Sequence, residues 1–155
     1  MSDLSQTPRV LISDKVSETC VARLKERSPR AHVDYKPCLS SADLLKIIGD
    51  YHALIIRSET KVTPEVIAAG KNLRVVGRAG IGVDNVDLPS ATARGIVVMN
   101  TPGGSAVTTA EHAIALLFSL ARKIPQAAAS MKAGQWEKKK FMGSELMGKT
   151  LGVVG

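Results

Sequence analysis

Apolar residues along the first part of the chain fall into short blocks at 10–13, 31–35, 53–56, 73–76 and 96–99, each of strand length. The segments between them have helical spacing, over 17–27 and 40–48 and then behind clearer boundary signals. Thr63 reads as an N-cap with Pro64 at the first helical position and Gly70 as the stop, and Asp87 caps a helix over 88–94 that Gly95 ends. Strands that alternate with helices predict a parallel sheet with helices on both faces, because parallel neighbours need a crossover and each face needs a cover.

Beyond Met99 the texture changes. Asn100-Thr-Pro-Gly-Gly104 predicts a hinge-like turn, and 105–124 predicts one long helix. Its apolar residues, among them Ala110, Ile114, Leu117, Phe118 and Leu120, cover most of the circumference, so it needs burial on all sides, between two lobes or two subunits. Pro125 kinks or restarts the chain, a second helix runs to about 133, and Trp136 leads into Lys138-Lys139-Lys140. The run 148–155 reads as a further strand that stops at Gly155.

Composition narrows the classes. A chain of 155 residues with 45% hydrophobic residues builds one sizeable core and part of a second lobe. The net charge of +7 would suit nucleic acid, but two Phe, two Tyr and one Trp offer little to stack on bases, and anionic small molecules explain the charge as well. The most apolar segment, 113–121, is far short of the ~20 residues that span a bilayer. Cys20 and Cys38 have no metal-ligand spacing, and the start Met1-Ser2-Asp3-Leu4 lacks a signal-peptide pattern. The expectation is a reduced, cytoplasmic protein without a metal, a nucleic-acid partner or a membrane partner.

The stretch with most chemical content is Val75-Val76-Gly77-Arg78-Ala79-Gly80-Ile81-Gly82-Val83-Asp84-Asn85-Val86-Asp87. A strand running into three glycines around one arginine reads as an anion-binding loop, in which glycine tolerates positive φ and close backbone approach. The glycine spacing is the reverse of the dinucleotide fingerprint, so pyrophosphate is not its expected ligand. Ligands of open parallel sheets bind at the carboxyl ends of the strands, which places Arg57 and Ser58 beside Arg78 and the Gly80 amides in one cleft. Arg57 is also readable as a surface ion pair with Glu59 or Asp84, and Lys138 to Lys140 as a solvated charge run. The segment after the first strand, Ser13-Asp14-Lys15-Val16-Ser17, has no glycine and so is no Rossmann first turn. No nucleophile with a base and no carboxylate pair stands out; the residues alone describe a binding cleft without its chemistry.

These motifs, with Val10-Leu-Ile-Ser-Asp14, Val98-Met-Asn-Thr-Pro102, Ala110-Glu111, Ile124-Pro125 and Trp136-Glu-Lys-Lys-Lys-Phe-Met-Gly143, resemble the NAD-dependent D-2-hydroxyacid dehydrogenases. Ile56-Arg-Ser58 and the Trp136 segment favour the phosphoglycerate branch of that family. The resemblance implies a flavodoxin-like substrate-binding domain over 1–99, then over 100–155 a hinge, crossover and dimerisation helices, and the start of a Rossmann domain. It implies NAD as cofactor, 3-phosphoglycerate or a similar phosphorylated 2-hydroxy acid as substrate, oxidation to 3-phosphohydroxypyruvate leading into serine biosynthesis, and a homo-oligomer formed through 105–124. Arg57, Ser58 and Arg78 would hold the phosphoglycerate, with the Gly80-Ile81 backbone near its carboxylate and the nicotinamide. Lys138 or Lys140 would reach a phosphate from the neighbouring subunit, and Gly155 would be the first glycine of the dinucleotide fingerprint. The family's catalytic arginine, glutamate and histidine would lie downstream, so the chain alone is expected to be inactive. One departure is Ser105, where the family usually has asparagine; serine can still cap the following helix. Two alternatives remain open, a dehydrogenase for another 2-hydroxy acid and a non-catalytic anion-binding domain.

Overall fold

The computed structural model describes residues 7–154, in two compact units divided after Gly104. The first alternates strand and helix: β1 (Arg9–Ile12), α1 (Glu18–Arg27), β2 (His32–Tyr35), α2 (Ser41–Ile47), β3 (Ala53–Ile56), α3 (Pro64–Ala69), β4 (Val75–Arg78), α4 (Leu88–Ala93) and β5 (Val97–Met99). All four strand pairings are parallel, in the order β2-β1-β3-β4-β5. That is the flavodoxin-like order, with its switch point between β1 and β3. The caps form as expected: the Thr63 hydroxyl accepts from Val66 N–H with Pro64 in the first turn, and Asp87 accepts from Ser90 N–H at 2.9 Å. Gly95 adopts φ +66°, the left-handed conformation that suits a residue past a helix end.

Side-chain alternation divides the sheet residues between two cores. Leu11, Leu54, Ile56 and Val76 pack with residues of α2, α3 and α4, while Val10, Ile12 and Val33 pack with Val21 and Leu24 of α1. The second face is thus covered only where α1 lies, and Val97 and Met99 on β5 stay 55% and 58% exposed. β4 begins and ends later than the apolar block predicts: Gly77 and Arg78 are strand residues, paired with Ile55 and Ile56 of β3.

The second unit contains α5 (Ala106–Ala121) and α6 (Ile124–Lys132). The helix expected to reach 124 stops at Ala121, because Lys123 takes a left-handed φ of 53° and its N–H closes on Leu120 O at 3.2 Å, one residue short of the α-helical spacing. Pro125, which has no N–H to donate, then sits in the first turn of α6. Ser105 occupies the N-cap position of α5 without making a side-chain cap, contrary to expectation; its φ of −136° and ψ of 6° lie outside the extended geometry a cap uses. Among the described residues the expected strand over 148–155 does not form: 149–154 have no regular structure and pair with no strand there, and Gly155 lies outside them. No residue of α5 is buried, and Val107, Leu116, Phe118 and Leu120 are 70%, 57%, 50% and 77% exposed. Among the described residues no helix is long and apolar enough to cross a membrane.

A polar cluster ties β1, β2 and the turn before β3. Asp34 accepts from the Tyr51 hydroxyl at 2.8 Å, Arg9 Nη2 at 3.3 Å and His32 Nε2 at 3.1 Å. The Tyr51 bond, ahead of Arg9, holds the Asp34 carboxyl below its ordinary pKa, while burial, followed by the bond to Asp34, pushes Tyr51 up to about 12. Because the folded pKa of Asp34 is depressed, its contribution is present above the unfolded value of 3.8 and is lost as pH falls through the folded value. For Tyr51 the folded pKa is raised, so its contribution is full below 10.0 and is lost as pH rises through about 12. Tyr51→Phe is expected to cost roughly 1 kcal/mol at neutral pH, the usual net value of one hydrogen bond. Urea unfolding across pH should show the gap to the native chain closing at the alkaline end; a gap that persists past the phenol titration would contradict this assignment.

Candidate functional site

Since all five strands run the same way, their carboxyl ends share one edge of the sheet, and the residues that follow them stand in a row. Ser13 and Asp14 follow β1, Arg57 and Ser58 follow β3, Arg78 ends β4, and Asn100 follows β5. The registers Ile12 to Ile55 and Ile56 to Arg78 place the Asp14, Arg57 and Arg78 positions on adjacent strands.

Asp14 is 1% exposed, and a carboxylate so deeply buried is costly unless its oxygens are bonded. It accepts from Arg57 N–H at 2.6 Å, from Glu59 N–H and Thr60 N–H at 3.1 Å, and from the Thr60 hydroxyl. With the Thr60 proton given to Asp14, the Ser13 hydroxyl is the donor in the 2.8 Å contact to Thr60. The loop after β3 is therefore folded around one buried anion. Its carbonyls are fixed from the other side: Asn85 Nδ2 donates to both Arg57 O and Thr60 O at 2.7 Å.

Arg78 is directed inward, its side chain 12% exposed. Nε donates to Arg57 O at 3.2 Å, Nη1 donates to Gly82 O, and Nη2 lies 3.7 Å from the Asp84 carboxylate. The density of glycine around it now has a physical reason other than positive φ, which none of Gly77, Gly80 and Gly82 adopts. A Cβ on Gly80 would stand 3.1 Å from Arg78 Nη1, and one on Gly82 would meet the same atom at 3.1 Å and Asp84 Oδ1 at 2.8 Å. These glycines let the guanidinium lie against the loop backbone. Asp84, one of the two acids readable as partners for Arg57, pairs with Arg78 instead, and Arg57 Nη1 reaches Lys15 O at 3.3 Å.

Arg57 and Ser58 are exposed, and Ile81 is 41% exposed at the tip of the glycine loop. The Gly80 carbonyl accepts from Thr101 N–H at 2.9 Å and the Ile81 carbonyl from Asn100 Nδ2 at 2.7 Å. In a trans peptide the N–H opposes the C=O, so the Ile81 and Gly82 N–H groups are aimed away from the Asn100–Thr101 turn. An open depression of about 430 Å³ lies beside this edge, lined by Ser58, Lys61, Thr63, Asp84, Asn85 and Asp87 among others, and neither Arg57 nor Arg78 lines it.

Lys138 and Lys140 belong to the second unit. There the buried Ser130 hydroxyl donates to Gln135 O at 3.0 Å and lies 3.4 Å from Glu137 Oε2, while Lys140 Nζ bonds the same Glu137 oxygen at 3.1 Å. Lys140 is thus engaged, whereas Lys138 has no ion pair among the described residues. Sequence reasoning passed over Asp14, Asn85, Asn100 and Thr101. Asp14 was visible as an acid directly behind a buried strand, but its partners stand more than 40 positions away (|i−j| of 43 to 46) and become neighbours only through the sheet.

The comparisons agree with this architecture. The family model described as D-isomer specific 2-hydroxyacid dehydrogenase, catalytic domain, matches residues 10–148. The chain is 51% identical over 147 residues to the D-3-phosphoglycerate dehydrogenase of Archaeoglobus fulgidus, covering 95% of the chain and 28% of that protein. It is 52% identical over 147 residues to the human D-3-phosphoglycerate dehydrogenase, covering 27% of it, so it spans about a quarter of these relatives' length. Among solved structures, a Thermus thermophilus protein superposes with a TM-score of 0.78 at 34% identity, over 90% of this chain and 46% of that one. The NAD+-bound 3-phosphoglycerate dehydrogenase of Entamoeba histolytica superposes at 0.67 with 28% identity, over 76% and 40%. By the match over residues 10–148, which its sheet order fits, the chain belongs to the D-isomer specific 2-hydroxyacid dehydrogenases.

Proposed function

We propose that the first unit is the substrate-binding lobe of an NAD-dependent dehydrogenase that oxidises 3-phosphoglycerate, and that it binds the substrate's anionic groups without carrying out hydride transfer by itself. The observation that carries this reading is the pair of arginines at adjacent strand ends, joined through the Arg57 carbonyl, in a chain about half identical to proteins named D-3-phosphoglycerate dehydrogenase. Arg57 and Ser58, exposed at the edge, are the phosphate contacts in this reading. Arg78 contributes a fixed positive charge beside them, and the outward N–H groups of Ile81 and Gly82 suit a carboxylate. Arginine is apt for this work because it stays charged and presents planar donors.

NAD, when bound, supplies the hydride acceptor. In the described residues its contact would be the exposed Ile81 side chain, an apolar surface beside those amides that fits an aromatic ring; the Gly155 contact lies outside them. Of the two candidate lysines, Lys138 is favoured as a phosphate contact across a subunit boundary, because Glu137 holds Lys140. A homo-oligomer formed through α5 would cover the apolar residues that the chain leaves open, and a product used in serine biosynthesis and a cytoplasmic setting complete the reading.

Arg57→Ala is expected to weaken 3-phosphoglycerate binding to the 155-residue chain by about 10- to 100-fold, the value of one charge-assisted hydrogen bond of roughly 1.5–3 kcal/mol, and to leave D-glycerate binding nearly unchanged. Calorimetric titration with both ligands measures this; equal losses would exclude a phosphate role and favour another 2-hydroxy acid. The chain should also associate as its concentration rises, and Leu116→Lys with Leu120→Lys, one helical turn apart on α5, should reduce that association in sedimentation velocity. A monomer at all concentrations would count against α5 as an interface.

A further inference from the structure

We propose that Asp14 is the positioning residue of the anion site: its buried carboxylate holds the Arg57 and Glu59 N–H groups on either side of the Arg57 carbonyl, and through that carbonyl it sets the direction of the Arg78 guanidinium. The inference rests on the anion-binding reading above for its ligand, but its geometry stands separately. Asp14 touches neither guanidinium. Its oxygens accept from the N–H groups of Arg57, Glu59 and Thr60 and from the Thr60 hydroxyl, so every donor that folds the loop inward is directed at one point. The Arg57 carbonyl belongs to the peptide between the Arg57 and Glu59 N–H groups that Asp14 holds, and it receives Arg78 Nε at 3.2 Å and Asn85 Nδ2 at 2.7 Å. Asn85 returns to Thr60 O at 2.7 Å and so closes a ring from the β1 end through the β3 loop to the glycine loop.

A carboxylate suits this place for a chemical reason. An asparagine would present an N–H donor to a cluster made of N–H donors, and an alanine would leave four donors unpaired. A role confined to holding the fold together would show in stability alone. A positioning role shows also in what the folded protein does with Arg78.

The test uses the full 155-residue chain with labelled arginine side chains. In the native protein the Arg78 Nε–H, bonded and mostly buried, should exchange with water at least tenfold more slowly than the exposed arginines. In Asp14→Asn that protection should be lost and the dissociation constant for 3-phosphoglycerate should rise at least tenfold, in protein shown by circular dichroism to be folded. Thr60→Val, which removes only the hydroxyl donor to Asp14, should give a smaller change in the same direction and serves if Asp14→Asn does not fold. Folded variants that keep both the protection and the affinity would overturn the proposal, whatever their loss of melting temperature. If the native chain fails to bind 3-phosphoglycerate while Asp14→Asn still releases Arg78, the substrate reading falls and the positioning role stands.

Discussion

One buried negative charge organises the carboxyl edge of this sheet. Asp14 sits at the end of β1 with almost no exposure, and no cation lies among its hydrogen-bond partners. Its charge is balanced instead by amide dipoles and one hydroxyl drawn from a single loop, the arrangement that a buried carboxylate requires in place of water. A loop so constrained cannot drift, and its outward side inherits that rigidity. The position of Arg57, the bond that Arg78 Nε donates to Arg57 O and the two hydrogen bonds that Asn85 Nδ2 donates all lie on that loop.

The elements were legible in the sequence because their signals are local. Thr63 with Pro64, Asp87 and Gly95 each act within one helical turn, so the structure repeats what their spacing predicts. The end of β4 was less visible, since Gly77 and Arg78 join the strand through pairing with β3, which lies more than 20 positions away. Residues 149–154 went the other way: their composition is strand-like, but a strand is a property of a pair, and among the described residues none pairs with them. Pro125 announced the break between α5 and α6, yet not that the chain would turn two residues before it through a left-handed Lys123. The site divides in the same way: its arginines announced themselves by their neighbours in sequence, while Asp14 and Asn85 act across the fold.

The glycines around Arg78 have a structural cause besides the one their spacing suggests. Three glycines close to an arginine read as backbone freed to approach a ligand. In the folded chain Gly80 and Gly82 make room first for Arg78 itself, whose guanidinium would have to shift by a few tenths of an ångström for a Cβ at either position. The two accounts are compatible, because a guanidinium held against backbone keeps the N–H groups of the same loop free to face elsewhere.

A guanidinium brought into a fold gives up water, and a protein must offset that loss before any ligand arrives. Here the offset is local and partial. Arg78 is surrounded by the Arg57 and Gly82 carbonyls with Asp84 beyond, and Arg57 leans on the Lys15 carbonyl. Carbonyl dipoles satisfy the donors without neutralising the guanidinium charge, which in the anion site proposed above is what remains to meet a ligand. Because the Arg57 carbonyl also accepts from Asn85 and lies between N–H groups held by Asp14, it is set in folding, and in the anion site proposed above the ordering cost that flexible surface lysines would incur is already met.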